Sequence, residues 1–276
     1  MINGETIIIA HLGYPTTTFK APMIYNPYFD KMGINAVVVP MGIKPDGYGS
    51  FIAALFRMTN IRGALVTMPH KVATVAMMDE ISTAAKIAGA CNAILLRADG
   101  TLRGDMFDGE GFVRGMLRKG RGAKGAKALV LGCGGAGSAI AASLAGAGVA
   151  GLGLFDVNRV ASEALAGRLR HHYPQLQLAM SHDPGGYDIV VNATPVGMND
   201  GDPLPMDVDR IAASSFVGEV VMRHEITPFL RAARAKGCDT QVGTDMLFEQ
   251  IPAYLEFFGF PTATVDELRA VARISY

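Results

Sequence analysis

Cysteine, net charge and long apolar runs are all scarce in this sequence. Its 276 residues include only three cysteines, Cys91, Cys133 and Cys238, which are widely spaced and form no C-x-x-C pair. Neither a disulfide scaffold nor a cysteine zinc site is therefore expected. Lys plus Arg and Asp plus Glu both number 25, so no excess charge attracts nucleic acid or an anionic membrane. No apolar stretch approaches the ~20 residues that span a bilayer. We expect a soluble cytoplasmic protein with neither nucleic-acid nor membrane partners.

Several catalytic signatures are also absent. The sequence contains no P-loop, no H-E-x-x-H and no hydrolase nucleophile elbow. Ser181, His182 and Asp183 are consecutive, so their side chains cannot form the nucleophile–base–acid line of a hydrolase. His171 and His172 are neighbours on a predicted helix and point in different directions, which argues against a shared metal. We therefore predict no metal site.

What the chain does contain is a large apolar fraction in an alternating pattern. Half of its residues are hydrophobic, and apolar runs alternate with helix-like segments in the βαβ rhythm of a parallel sheet. The glycine-rich, basic stretch Arg118–Lys127 interrupts this rhythm and is typical of an exposed connection. Predicted strands before it are Thr6–Ala10, Asn35–Pro40, Gly63–Thr67 and Asn92–Arg97, with helices over Pro22–Met32, Tyr48–Met58 and Lys71–Ala88.

The alternation restarts after this connection. Predicted strands are Ala128–Leu131, Gly151–Phe155, Tyr187–Ala193, Phe216–Val221 and Asp239–Val242, with helices over Ser138–Ala147, Val160–His172, Thr227–Lys236 and Met246–Phe258. The length suits one large domain or two modest ones. We predict an α/β protein with two units joined near residues 105–127.

A glycine-rich turn follows the first of these later strands. Gly132-Cys-Gly134-Gly-Ala-Gly137 fits G-x-G-x-x-G between an apolar strand and a helix, where glycines permit a tight turn and close approach of a pyrophosphate. Asp156 ends the next predicted strand, where a carboxylate accepts hydrogen bonds from the ribose hydroxyls of NAD and repels a 2′-phosphate. Arg159 lies three residues further on and could accommodate a 2′-phosphate, so NADP stays an alternative cofactor. The pattern predicts dinucleotide binding, with NAD preferred.

Five segments together resemble the shikimate dehydrogenase family, including its quinate-using and shikimate-dehydrogenase-like members. They follow the family's order over nearly the whole chain, and they are Val66-Thr-Met-Pro-His-Lys71, Gly89-Ala-Cys-Asn92, Gly104-Asp-Met-Phe-Asp108-Gly, Asn192-Ala-Thr-Pro-Val-Gly-Met198 and Gly243-Thr-Asp-Met-Leu-Phe-Glu-Gln250. The resemblance implies a substrate-binding catalytic domain over residues 1–106 plus 243–276. It implies a Rossmann-type doubly wound NAD(P)-binding domain over residues 107–242.

The resemblance also implies roles for individual residues. Lys71 and Asp108 would handle the proton that leaves when a ring hydroxyl of shikimate, quinate or a related cyclic polyol is oxidised. Substrate-binding candidates are Thr67, Asn92, Gln250, Thr18 and Tyr25. Cofactor-binding candidates are Gly132, Gly134, Gly135, Ala136, Gly137, Asp156, Asn192, Thr194, Val220, Gly243 and Met246.

The sequence departs from the family pattern in the expected pocket. Phe19 and Ala21 occupy the positions of two serines that hold the substrate carboxylate in the family. Leu65 stands where the family has asparagine, and Met222 where it has tyrosine. These changes predict a more apolar pocket unless Thr16–Thr18, Lys20 or Tyr25 compensate, so the identity of the ring substrate stays open.

Other interpretations stay open at this stage. Taken alone, Lys71 is typical of a solvated surface charge, and Asp108 is typical of a turn residue. His70, beside Lys71, suits a structural role. A catalytically weakened, dinucleotide-binding regulatory protein on the same fold is one alternative function, and a one-carbon folate dehydrogenase is another. The sequence does not define an oligomeric state, and a homodimer is one option.

Overall fold

The computed structural model describes residues 2–276, which form two compact units. Unit one consists of the chain up to Lys86, Ala90–Phe107 and Gln250–Ser275. Unit two consists of Ile87–Gly89, Asp108–Glu249 and Tyr276. Both units are α/β, which confirms the predicted fold class. The substrate-binding role of residues 1–106 plus 243–276, and the cofactor role of residues 107–242, stay predictions.

Unit one is built on a six-stranded mixed sheet. Its strands are β1 (Ile7–Gly13), β2 (Ala36–Gly42), β3 (Ile61–Val66), β4 (Glu80–Ile81), β5 (Ala93–Leu96) and β6 (Leu102–Asp105), in the order β2-β1-β3-β5-β6-β4. The strands β2, β1 and β3 are parallel, but β5 is antiparallel to both β3 and β6. Asp99 closes the tight β5–β6 turn by accepting from the Thr101 amide at 2.9 Å. So short a connection permits only antiparallel pairing, which the expectation of a fully parallel sheet missed.

The helices of unit one agree with the predicted bounds only in part. They are α1 (Pro22–Met32), α2 (Tyr48–Leu55), α3 (Lys71–Thr74), the start of α4 (Thr83–Ala88), the second half of α9 (Gly243–Phe257) and α10 (Val265–Val271). The bounds of α1 match the prediction, since Pro22 opens it and Gly33, with φ of 65°, ends it.

The predicted single helix over Lys71–Ala88 is wrong. After α3 and a 3-10 turn at Val75–Met77, the chain becomes extended and forms β4 beside β6. Asp79 secures this pairing, because its amide donates to the Leu102 carbonyl at 3.0 Å and its carboxylate accepts from the Leu102 amide at 2.7 Å. Strand pairing at the sheet edge therefore overrides the helical propensity of the alanines and methionines.

Unit two is built on a six-stranded, fully parallel sheet. Its strands are β7 (Lys127–Leu131), β8 (Gly151–Phe155), β9 (Gln177–Met180), β10 (Ile189–Asn192), β11 (Phe216–Glu219) and β12 (Asp239–Gln241). They lie in the order β9-β8-β7-β10-β11-β12. In order of appearance this is 3-2-1-4-5-6, the Rossmann arrangement, with its switch point between β7 and β10.

Helices cover both faces of this sheet. They are α5 (Asp108–Arg118), α6 (Gly135–Gly146), α7 (Arg159–His172), α8 (Pro228–Ala235) and the first half of α9. Along β7, Val130 packs into the cluster containing Phe112 and Ile140, whereas Leu129 packs with Phe229 on the opposite face. The alternation follows from the two-residue period of a strand.

Helix α5 is not predicted from the sequence, since its glycines look like helix breakers. A Cβ at Gly109 would lie 2.0 Å from the Ala139 carbonyl oxygen, so this glycine lets α5 approach α6 closely. The basic stretch Arg118–Lys127 is largely exposed, as predicted. Over residues 2–276, none of the helices combines the length and apolarity that crossing a membrane requires.

Candidate active site

The glycine turn of unit two has the geometry of a phosphate-binding loop. Gly132 has φ of +93°, and a Cβ there would lie 2.6 Å from the Ala193 carbonyl oxygen. A Cβ at Gly137 would lie 1.8 Å from the Gly132 carbonyl oxygen. Both positions therefore require glycine. Gly134, the N-cap of α6, is exposed, and a Cβ there would meet no atom within 4 Å. The turn is closed on its inner side and open where a pyrophosphate would approach the α6 N-terminus.

Asp156 lies immediately after β8 and is fixed by the turn. Its two carboxylate oxygens accept from the backbone amides of Cys133 at 2.6 Å and Asn158 at 2.8 Å. Arg159 is exposed and pairs with Glu163 one turn further along α7, at 2.7 Å. The carboxylate is thus preorganised beside the glycine turn, whereas the Arg159 guanidinium is held only by a surface ion pair.

Asn192 and Thr194 shape the neighbouring strand end. The Asn192 side chain is buried, and its Oδ1 accepts from the Thr194 amide at 3.1 Å and the Thr194 hydroxyl at 2.6 Å. Its amide group donates to the Val196 carbonyl at 3.1 Å. Asn192 therefore folds the loop that follows β10, on the other side of the switch point from Gly132.

Glu219 is a residue that the sequence analysis missed. It ends β11 directly opposite Asn192 and is 1% exposed. Burial raises the pKa of its carboxyl to about 7, and the nearby side chains of Thr227 and Asn192 act in the opposite direction. Thr227 is the N-cap of α8 and accepts from the Leu230 amide. In the sequence the available signal was a glutamate within a predicted apolar strand.

The remaining cofactor candidates of unit two lie on later segments. Val220 follows β11 and is half-buried, Gly243 begins α9, and Met246 is buried within it. A Cβ at Gly243 would lie 2.4 Å from the Val221 carbonyl oxygen, so glycine is required where α9 passes this segment. Asp108, buried at the start of α5, also belongs to unit two.

Unit one collects most of the predicted substrate residues. Lys71 begins α3, and its carbonyl accepts from the Cys91 amide at 2.9 Å, which places Asn92 close by in the fold. The buried Asn92 accepts from the Phe107 amide at 3.0 Å and donates to Gln250 Oε1 at 3.4 Å. Thr67 follows β3, and its amide donates to the Leu12 carbonyl at 2.8 Å. The structure thus brings Asn92 and Gln250 into contact.

Two further candidates of unit one stand apart from this hydrogen-bonded group. Thr18 ends a 3-10 turn at Thr16–Thr18 and is half-buried. Tyr25 is buried on α1, and its hydroxyl has no hydrogen-bond partner among the described residues. Burial raises the pKa of Tyr25 well above its ordinary value.

His70 has a structural role, as the sequence analysis favoured. Its Nε2 lies 2.8 Å from the Ile43 carbonyl oxygen, and its ring stacks on Tyr48 at 4.0 Å between centroids. The residue is 1% exposed. A histidine so enclosed is part of the core.

A second histidine of unit one, which was not singled out in the sequence, has fewer hydrogen bonds than His70. His11 lies on β1 and stacks on Phe19 with ring centroids 4.0 Å apart. Its Nδ1 is buried without a hydrogen-bond partner among the described residues. Burial, and secondarily the positive charge of Lys71, lower the pKa of His11 to about 3.

These features define a class of protein. The 3-2-1-4-5-6 sheet, the glycine turn open at Gly134 and the fixed carboxylate of Asp156 fit a nicotinamide dinucleotide. Among the residues described, no group of three or more histidine, cysteine, aspartate or glutamate side chains is placed to hold a metal ion. The class is that of two-unit dinucleotide-dependent oxidoreductases.

Comparison with known proteins defines the family. Residues 12–94 match the shikimate dehydrogenase substrate binding domain. A shikimate dehydrogenase (NADP(+)) from Rubrobacter xylanophilus is 36% identical over 258 residues, 90% of this chain and 89% of that protein. The chain belongs to the shikimate dehydrogenase family. It is an NAD(P)-dependent oxidoreductase that acts on a CH–OH group of a small molecule.

Solved structures agree. Shikimate 5-dehydrogenase from Listeria monocytogenes, in complex with shikimate and NAD, is 27% identical with a TM-score of 0.86. The superposition covers 98% of this chain and 97% of the Listeria chain. The 5-ketofructose reductase of a Gluconobacter species is 25% identical with a TM-score of 0.84, and 98% of each chain is covered.

Proposed function

We propose that this protein transfers a hydride between NAD(P) and a ring hydroxyl or ketone of shikimate, quinate or a related cyclic polyol. The observation that carries this proposal is the polar group in unit one, where Lys71 lies beside the hydrogen-bonded pair Asn92 and Gln250. Residues 1–106 plus 243–276 would form the substrate domain, and residues 107–242 the cofactor domain.

Unit two would hold the cofactor. Gly134 and its neighbours Gly135 and Ala136 would contact the pyrophosphate at the α6 N-terminus, and Asp156 the adenosine ribose. The strand ends and α9 would line the nicotinamide through Asn192, Thr194, Val220, Gly243 and Met246. When bound, the nicotinamide supplies the hydride acceptor or donor.

The substrate residues would position the alcohol and move its proton. Oxidation of a secondary alcohol releases the hydroxyl proton as the hydride leaves, so a group within hydrogen-bond reach must accept it. We assign this task to Lys71 together with Asp108. Asn92, Gln250 and Thr67 would fix the remaining ring hydroxyls through uncharged hydrogen bonds, which raises the fraction of productive complexes.

The variant Lys71→Ala tests this assignment. Loss of a proton-transfer group should lower kcat by about 10²–10⁴-fold, with the Kd for the dinucleotide unchanged, because Lys71 lies outside unit two. Initial rates of NAD(P)H formation measure kcat, and fluorescence titration measures Kd. Lys44→Ala, at an exposed lysine of the same unit, is the matched control and should keep full activity. Wild-type turnover in Lys71→Ala would refute the mechanism.

We further propose that both nicotinamide dinucleotides are substrates and that NAD is preferred. A 2′-phosphate would lie against the Asp156 carboxylate, and like charges in contact cost several kcal/mol. The exposed Arg159 would reduce this cost by turning toward the phosphate. The relative from Rubrobacter xylanophilus is named for NADP(+), whereas the Listeria structure holds NAD.

Two single variants test the cofactor proposal. Asp156→Asn keeps an acceptor for the Cys133 amide but removes the charge, and should raise kcat/KM for NADP relative to NAD by about tenfold or more. Arg159→Gln should lower kcat/KM for NADP and leave NAD unaffected. An unchanged NAD-to-NADP ratio in Asp156→Asn would show that this carboxylate does not set the preference.

A further inference from the structure

The wall of unit one beside Lys71 contains an imidazole that no protein group satisfies. His11 is 7% exposed, and its Nδ1 has no hydrogen-bond partner among the residues described. Phe19 covers one face of its ring, with centroids 4.0 Å apart and planes inclined by 26°. A buried polar atom without a partner costs free energy, so a group that the protein itself does not provide is the natural partner of this ring.

Position in the sheet brings this ring to the substrate residues. His11 pairs in register with Leu65 of the adjacent strand β3, two residues before Thr67. Gly13 lies so close to both neighbours that a Cβ there would be 2.4 Å from Thr67 Cγ2 and 2.8 Å from Phe19 Cζ. His11, Phe19 and Thr67 therefore form one continuous wall, which we call the His11–Phe19 wall.

The imidazole in this wall is uncharged. Burial and, secondarily, the ammonium of Lys71 lower the pKa of His11 to about 3. At pH 7 the ring is therefore neutral. A neutral imidazole offers one N–H donor and one acceptor. It can bond a hydroxyl or a carbonyl oxygen but supplies no positive charge.

Phe19 and Ala21, in the loop beside it, offer no polar contact to a carboxylate either. Phe19 and Ala21 are buried and lack polar side-chain atoms. Between them, the Lys20 ammonium donates to the Ser275 carbonyl in the C-terminal segment of unit one. A carboxylate against His11, Phe19 and Ala21 would lose its hydration and would gain no charged partner from these three residues, whereas the desolvation of an uncharged alcohol or ketone costs far less free energy.

We infer that the site takes an uncharged polyhydroxylated alcohol or ketone, and that His11 and Phe19 select it, His11 by a hydrogen bond to a substrate oxygen and Phe19 by apolar contact with its carbon skeleton. This inference rests on the proposed function and narrows its substrate class. It makes His11 and Phe19 specificity-determining residues of the same reaction.

Matched ligands with one ring test this inference. The probes are shikimate, its methyl ester, and the cyclohexene triol that lacks the carboxyl group. Initial rates with NAD and with NADP give kcat/KM, and calorimetry in saturating dinucleotide gives Kd for each probe. We expect kcat/KM and affinity for the two uncharged probes to exceed those for shikimate by at least about tenfold.

The outcomes separate this inference from the proposed function. Equal or tighter binding of shikimate overturns the inference, whatever is turned over. Tighter binding of the uncharged probes without any hydride transfer supports the inference and contradicts the proposed function. Tighter binding with turnover supports both.

Variants locate the selectivity in the wall. His11→Leu should lower kcat/KM for the uncharged probes by about tenfold, the usual effect of one hydrogen bond, with the dinucleotide Kd unchanged. Phe19→Ser should narrow the preference for uncharged probes, and it serves as the second test if His11→Leu fails to fold. The control His171→Leu, on the exposed side of α7, should behave as wild type. Unchanged selectivity in folded His11→Leu and Phe19→Ser would refute the assignment.

Discussion

Replacing Glu219 by glutamine should stabilise the protein at pH 8 and leave its stability nearly unchanged at pH 4. The carboxyl of Glu219 is 1% exposed, and burial raises its pKa from 4.5 to about 7. At ~1.4 kcal/mol for each tenfold change in proton affinity, this displacement corresponds to about 3 kcal/mol. Because the residue is buried, solvent screening does not reduce this value appreciably.

The direction follows from proton binding in the two states. Between pH 4.5 and pH 7, unfolded chains release the Glu219 proton and folded chains retain it. The stability that the neutral carboxyl provides is therefore complete below pH 4.5 and is lost as the pH rises through 7. Glutamine stays neutral at every pH, so the variant keeps this contribution to stability as the pH rises. The difference in free energy of unfolding should grow from about zero to about 3 kcal/mol.

Urea denaturation at a series of pH values measures this difference. Wild type and Glu219→Gln are unfolded in parallel from pH 4 to pH 8, and the free energies of unfolding are subtracted at each pH. Subtraction cancels the titration of every other group, and the pH 4 value serves as the internal control for packing. A difference that is constant over this range would refute the argument from burial.

Two further variants test local features of the fold. Gly132→Ala should raise the Kd for NAD by at least about tenfold in a fluorescence titration, because φ of +93° and the Ala193 carbonyl exclude a Cβ; an unchanged Kd would show that the turn does not contact the cofactor. Thr264→Ala should cost about 1 kcal/mol by removing the N-cap of α10, where Thr264 and Glu267 form a capping box, and the neighbouring exposed Thr262→Ala is its control; equal melting temperatures would contradict the capping role.

Much of the fold was predictable because its signals are local. Pro22 and Gly33 mark the two ends of α1, and the glycines at 132, 134 and 137 mark a turn whose geometry requires glycine at 132 and 137. The break in the predicted helix after Thr74 was not predictable in this way. It depends on the pairing of Asp79 with Leu102, more than twenty residues away, and no local propensity encodes that contact.

The same division applies to the site. Lys71, Asn92 and Asp156 stand in segments that the sequence itself singles out. His11 and Glu219 do not, since each looks like an ordinary residue in a strand. What distinguishes them is burial, which lowers the pKa of His11 and raises the pKa of Glu219. Burial is a property of the assembled fold. The stacking of His11 on Phe19 joins residues from a strand and a loop.

The short segment Ile87–Gly89 has a consequence for protein engineering. These residues belong to unit two although the chain on either side belongs to unit one. The Arg168 guanidinium on α7 donates to the carbonyls of Ile87 at 2.8 Å and Ala88 at 3.0 Å. A chimaera that exchanges only residues 108–249 with a relative would separate Arg168 from these two carbonyls. Residues 108–249 should therefore be recombined together with residues 87–89.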